Sequence, residues 1–494
     1  MKIRLWISAM LIALGLMGLN YWFTLEEETS LPSNNWSRSF PVDAPASSFS
    51  NIQIVEEESG YTISLRDFKN QYVLGCDEEL ACEHLHTYDI FTTTKNTWSD
   101  QEEFYYYRNG ALIRKSASGE ETIAEDIDNF VKNKERLVYW TKEQEVVVDG
   151  TATVFPEPIY DVKLLDELVL VVTKDKTEND FTVYELAGKA EELFDFQFAA
   201  MDIVNSLGFI PTEEGYSMLA ETTLLAGGAK TKTIQLAPFT LETDQQLAFA
   251  KLEFVNEENG RKLPNVGTPS LASVDGATYV AFSSSNRLYA GELKDETVVA
   301  SAINKAGSHN DRPTMLNEDT VLFFDINGSK KDLHFASSNP ALIAESEKLQ
   351  DGDLKEALYT MLSKVFNGFM ILVFSVTWIV ASLMVTFGML FILQKKKTGD
   401  MHKRVFLVFA ALLFIFQAFF FTQMISTETL LATLPLVESS WHLVGVLLGA
   451  TLLSIVPLKV GNLRVNEDSF NFSVMFVTLF NLVILCLLIG PYLY

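Results

Sequence analysis

Apolar positions follow two different rhythms along this chain. From residue 365 onward they run almost unbroken, in four stretches: Val365 to Leu393, Val405 to Ile425, an interrupted run within Leu430 to Leu458, and Phe470 to Tyr494. Crossing a hydrocarbon layer of ~30 Å takes about 20 apolar residues in a helix, whose internal hydrogen bonds satisfy the backbone where no water can. Residues 365–494 therefore predict a four-helix transmembrane region. A fifth run, Leu5 to Phe23, follows Met1-Lys2-Ile3-Arg4 and ends before Glu26, Glu27 and Glu28. Residues 1–24 predict a signal peptide or a signal anchor, and the absence of a small-x-small cleavage site and the near-span length favour the uncleaved anchor that spans the membrane.

Between these blocks, over 51–339, short apolar runs alternate with polar residues at period two and are separated by turn residues, which predicts an all-β domain. Asn109-Gly110 and Asn327-Gly328 each lie between two strand-like runs, as a type I′ hairpin turn requires. Six hairpin units begin near residues 104, 137, 168, 216, 279 and 321. Their mean step of about 43 residues is that of a propeller blade. A large sandwich or two smaller β-domains would use similar strands. Residues 25–50, rich in Ser, Pro and Asn, have the composition of a linker. Residues 340–364 predict an amphipathic stalk helix continuing into the second span, with Leu354, Leu358, Met361, Leu362 and Val365 on one face.

Two stretches carry a family resemblance. GTPSLASVDGATYVAFSS from Gly267 and DRPTMLNEDTVLFFDI from Asp311 place Pro269 and Pro313 at equivalent points, each followed by a turn and a strand. Ser273-Val274-Asp275-Gly276 keeps three residues of a Ser-Pro-Asp-Gly turn. This resembles the TolB-like β-propeller repeat. The resemblance implies a propeller fold with a binding surface and transfers no catalytic residue.

Charge decides orientation and excludes some partners. The chain has 38 Lys and Arg against 64 Asp and Glu, a net charge of −26. All the acids lie between Leu25 and Lys364 except Asp400, Glu428, Glu438, Glu467 and Asp468. So acidic a segment repels nucleic acid. The bases near span ends are Lys2, Arg4, Lys395, Lys396, Lys397, Lys403, Arg404, Lys459 and Arg464, and such residues stay on the cytoplasmic side. Five spans with the N-terminus inside satisfy every loop. The β-domain is then extracytoplasmic in a multi-pass protein of the cell membrane.

Candidate chemistry is sparse. Cys76, Cys82, His84 and His86 cluster in CDEELACEHLH. Outside the cytoplasm the two cysteines form a small-loop disulfide or stay unpaired. The same four residues are a weak metal set, because their spacing matches no standard ligand pattern. Glu438 and His442 stand one helical turn apart near the third run, a membrane polar pair that would suit a proton or cation path, or else the start of a span at the interface. No P-loop, dinucleotide fingerprint or nucleophile motif occurs, and no cofactor is implied. The reading is a non-enzymatic integral membrane protein whose β-domain binds a protein or cell-envelope partner, with the lipid bilayer around its spans. Its alternatives are a transport or channel component and a metal-binding envelope protein.

Overall fold

The computed structural model describes residues 2–45, 47, 51–90, 96–165, 167–175, 179–212, 215–226, 229–243, 245, 247–274, 276–285, 287–305, 310–327, 329–350, 352–393, 401–423, 437 and 439–492. They divide into a β unit, Leu31–Lys348, and a helical unit, Met1–Ser30 with Leu349–Tyr494.

The β unit is a seven-bladed propeller. Each blade is an antiparallel meander, and the innermost strands are Asn51–Glu57, Thr97–Ser99, Ile127–Lys132, Ile159–Leu165, Asp202–Thr212, Gly267–Val274 and Asn310–Met315. Blade 6 adds a fifth, outermost strand, Glu253–Asn256, running parallel to Thr297–Ala302. The second strands begin at residues 60, 104, 137, 168, 215, 277 and 320. Six of these are the units legible in the sequence. The first blade is not, because its outer strand Cys82–Asp89 is exposed along most of its length and shows no alternation. The long step from 215 to 277 arises from the 12-residue strand Gly215–Ala226 and the extra strand of blade 6.

Turn chemistry fits this backbone. Asn109 and Gly110 have φ of 52° and 88°, the two positive values a type I′ turn needs. Gly328 of the second predicted turn, and Asp275 of the Ser-Val-Asp-Gly turn, lie outside the described residues. Pro269 and Pro313 both fall at register shifts in inner strands, between Gly267 and Ser270 and between Asp311 and Thr314. Proline cannot donate to a ladder, and a bulge is where a sheet tolerates that.

The ring closes through the segment whose composition reads as linker. Phe40–Pro41 pairs with Lys330–Ser337 as the outermost strand of blade 7. Trp36 is buried among Ala281 and Leu288 of blade 6 and Phe323 of blade 7. Ile52, Ile63, Leu65 and Leu74 of blade 1 share one core with Leu322, Phe324, Leu333 and Phe335 of blade 7. Only the first residues after Ser30 are composed of turns; the apolar residues scattered among Ser and Pro are anchors.

Residues 340–364 form two helices instead of one stalk. The first, Pro340–Ser346, starts at proline with the Asn339 side chain accepting from Ala341 N at 2.9 Å, and belongs to the β unit.

Along the chain we number the helices α1 Lys2–Thr29, α2 the short helix just described, and, in the helical unit with α1, α3 Asp353–Gly368, α4 Met370–Leu393, α5 Met401–Gln423, α6 Ser440–Val460 and α7 Phe470–Leu488. Among the described residues five helical segments are long and apolar enough to cross a membrane, one of them running from Asp353 through Leu393; this is a property of length and composition. Their outward residues are apolar: Met10 and Leu14, Val376 and Met384, Leu448 and Leu452, Met475 and Leu479 are all exposed. Hydroxyls point inward and bond to their own helix, as Ser382 donates to Trp378 O and Thr386 to Ser382 O, both at 2.7 Å. The packed core includes Phe409, Phe421, Leu443, Leu447, Val477 and Leu485. Within it the side-chain amides of Gln417 and Asn481 have no hydrogen-bond partner among the described residues.

Candidate functional site

A cavity of about 740 Å³ opens beside the inner strands of blades 1, 2 and 3, at the turns that follow those of blades 1 and 3. Its wall from blade 1 is Gln53 to Glu58, its base is Trp98 of blade 2, and its wall from blade 3 is Lys132 to Glu135. The inner strand of blade 2 is only three residues long. That brevity lets blades 1 and 3 meet across it: Lys134 Nζ lies 2.8 Å from Glu57 Oε2.

Local sequence fixes both walls. At the blade 1 turn Gly60 has φ +125°, and a Cβ there would fall 2.2 Å from the Cys76 carbonyl oxygen, so glycine alone fits. Thr62 Oγ1 donates to Glu57 Oε1 at 2.9 Å and orients that carboxylate toward Lys134. At the blade 3 turn the Asn133 side-chain oxygen accepts from the backbone of Glu135 at 3.1 Å and Arg136 at 2.7 Å, a local turn that presents Lys134 and Glu135.

The base is an aromatic and ionic cluster. Lys132 Nζ sits 4.0 Å from the Trp98 ring centre and 5.1 Å from that of Tyr105. Burial there holds the ammonium below its ordinary range, while the carboxylates of Asp100 and Glu103 work against that shift. Tyr105 donates to Glu103 at 2.9 Å, and Arg114 pairs with the same carboxylate at 2.6 Å. Burial first, and then Glu103, push the Tyr105 phenol up to about 12. Each base is thus engaged: Lys132 on the rings, Lys134 with Glu57 and Arg114 with Glu103. Glu56, Glu58 and Glu135 are exposed and make no ion pair among the described residues. The lining holds no hydroxyl, thiol or imidazole. What it offers is a rim with three exposed carboxylates, Glu56, Glu58 and Glu135, beside a single buried tryptophan already covered by Lys132.

The residues singled out from sequence lie elsewhere. Cys76 and Cys82 are directly opposed on neighbouring strands of blade 1 and are joined by a disulfide with Cα atoms 4.1 Å apart. Neither can then offer a thiolate to a metal. His84 bonds to Thr87 at 2.8 Å, and His86 packs on Tyr88 with ring centres 5.7 Å apart. Among the described residues no three His, Cys, Asp or Glu gather as a metal set. Glu438 lies outside the described residues, while His442 sits in the first turn of α6 with its N–H directed at the capping Ser439 hydroxyl. The cavity at blades 1 to 3 is absent from the sequence reading because its walls come from three separate units. The run Glu56-Glu57-Glu58 before a turn glycine was the one visible sign.

No protein-family model and no curated protein matches the chain. Among solved structures it is similar to the N-terminal domain of Nup159, at 10% identity and TM-score 0.40, covering 62% of this chain and 96% of that one. It is also similar to the Cps50 (Swd1) β-propeller domain of Myceliophteria thermophila, at 10% identity and TM-score 0.39, covering 61% and 98%. The Nup133 β-propeller domain of Vanderwaltozyma polyspora matches at 10% identity and TM-score 0.37, covering 58% and 100%. Scores this low carry no functional argument. The assignment to the seven-bladed β-propellers rests on the sheets and their closure described above, and propellers commonly serve as protein-binding platforms.

Proposed function

We propose that this chain is a non-enzymatic integral membrane protein whose propeller captures a protein or cell-envelope partner through a basic segment, while α1 and α4 to α7 hold it in the bilayer. The observation that carries the reading is the blade 1 to 3 cavity, with three unengaged carboxylates over Trp98. A lysine- or arginine-bearing partner would bind by charge complementarity with little demand on sequence. The basic residues at the span ends support a cytoplasmic N-terminus and a cytoplasmic 394–404 loop, with the propeller on the opposite side. The spacing of Pro269 and Pro313 supports kinship with TolB-like repeats.

Photo-crosslinking from native membranes tests it. A photoreactive residue at Glu135 is expected to yield a discrete protein adduct that disappears in the Glu56→Lys/Glu58→Lys double variant, whereas one at Lys189 in blade 4 yields none. Adducts from both sites alike, or adducts at blades 1 to 3 indifferent to the charge reversal, would refute it.

A further inference from the structure

Helix α3 has three faces. At about 100° per residue, Asp353, Ala357, Met361, Lys364 and Gly368 share one side. All but Lys364 are buried. Leu354, Leu358, Leu362 and Phe366, spaced four apart, sweep an adjoining arc of about 120°, and all four are exposed, Phe366 by 73%. Glu356, Ser363 and Asn367 take the remaining side and are exposed too.

The helix also lies across the bundle end. Tyr21 of α1 donates to Leu354 O at 3.1 Å, and Lys364 pairs with Glu27 at 2.5 Å. Gly368 is pressed so closely on the tail of α7 that a Cβ would fall 2.6 Å from Cys486 O. Asn20 of α1 reaches Leu487 O, which puts the Cys486 region level with residue 20 of α1. Fourteen steps of helix, about 21 Å, therefore stay within the band from about residue 20 to residue 27 of α1, about 10 Å deep. An upright helix antiparallel to α1 would place Leu354 beyond Lys364, and the contacts have the opposite order. By contrast, Phe387 of α4 packs on Phe470 at the other end of α7. The ladder of helical hydrogen bonds is interrupted at Phe369, whose N–H bonds to Phe366 O at 3.1 Å and whose dihedrals stay helical at φ −62° and ψ −15°.

We propose that α3 is an interfacial helix lying in the plane of one leaflet, its Leu354, Leu358, Leu362 and Phe366 stripe sunk among lipid acyl chains and its Glu356, Ser363 and Asn367 side facing water. The occupant follows from continuity: the stripe passes through exposed Phe369, Met370 and Val373 into the apolar outer surface of α4. A helix whose apolar face is broad and whose opposite face is polar takes this position at a headgroup boundary. Lys355, over the Tyr359 ring at 5.8 Å, has the reach to snorkel. The proposal rests on the reading that α4 crosses the membrane.

Nitroxide scanning of the full chain, in phosphatidylcholine–phosphatidylglycerol vesicles, separates the two. In a Cys486→Ala background, labels on Leu358→Cys, Leu362→Cys and Phe366→Cys are expected to collide with oxygen in preference to a water-soluble nickel chelate. Their depths should agree within about the length of one helical turn, ~5 Å, while Ser363→Cys meets the chelate. Met384→Cys on α4 reports the span itself. Depths that change steadily by about 12 Å from 358 to 366 would overturn the proposal. So would labels at 358 and 362 shielded from both reagents by protein, with Met384→Cys still in lipid. If the Met384→Cys label meets the chelate as freely as the Ser363→Cys label, the span reading fails and the inference falls with it.

Discussion

Lys134 of blade 3 reaches across blade 2 to Glu57 of blade 1, with Nζ 2.8 Å from Oε2. The contact exists because blade 2 contributes so short an inner strand, and it divides the acidic rim into one neutralised carboxylate and three available ones. Its energetic worth is small. Lys134 is 44% exposed and Glu57 22%, so a double-mutant cycle on the pair should return a coupling of about 0–1 kcal/mol. A coupling well above that would mean the pair is a structural strut.

Trp98 below it is a different case, being buried against Val55, Tyr105 and Phe130. Trp98→Ala should cost about 3–5 kcal/mol in denaturant unfolding of the full chain. Trp98→Phe, which keeps a smaller ring under Lys132, should cost less and retain partner binding.

Ring closure depends on Trp36 and on the Phe40–Pro41 strand. Trp36→Ala is expected to lose about 3–5 kcal/mol by cavity formation, and the loss should appear in blades 6 and 7 together, as amide exchange in Leu288 to Ala290 and in Val321 to Phe324. A variant in which these strands keep their protection would show that the N-terminal segment only decorates a ring closed by other contacts.

The alkaline limb of stability carries a sign. Burial and Glu103 raise Tyr105 to about 12, and burial and Glu120 raise Tyr106 to about 12, from an ordinary value of 10.0. Between those values the unfolded chain has released protons that the folded chain retains, so stability falls as pH rises from 10 to 12. Tyr105→Phe should flatten that decline. An unchanged slope would mean that Tyr105 titrates as an ordinary phenol.

In the helical unit the amides of Gln417 and Asn481 are buried without partners. Replacing an unsatisfied polar group by an apolar one of similar size removes a penalty of about 1–3 kcal/mol. Gln417→Leu and Asn481→Leu should therefore each raise the unfolding midpoint in detergent. A lowered midpoint would show that both amides hold something, water or a polar solute, inside the bundle.

What the sequence made legible follows from the range of each signal. Hairpin turns such as Asn109-Gly110 and the second strands of blades 2 to 7 are local features, and so is the apolar length of the helices. Blade 1 escaped because its outer strand, with His84 and His86 exposed, lacks a buried face, and its Cys and His residues look like chemistry. Residues 25–50 read as linker because the edge strand Phe40–Pro41 and one anchoring Trp36 need little composition. The stripe on α3 was visible at Leu354, Leu358 and Leu362, but the face it shares with Met361 was not: Met361 turns inward and the leucines outward, a division set by the crossing over α1. The cavity required residues from 53 to 135 to be assembled in space.

The central claim is that the face built by blades 1 to 3 binds a basic segment of a protein partner. The salt dependence of binding by the full chain in nanodiscs, measured with lysine-rich peptides, addresses it most directly. Wild type should bind with an affinity that falls as salt rises, acidic peptides should not bind, and Glu56→Gln/Glu58→Gln/Glu135→Gln should weaken binding at least tenfold, about 1.4 kcal/mol, without lowering the unfolding midpoint. Equal affinity in the triple variant, or binding indifferent to salt, would contradict the account.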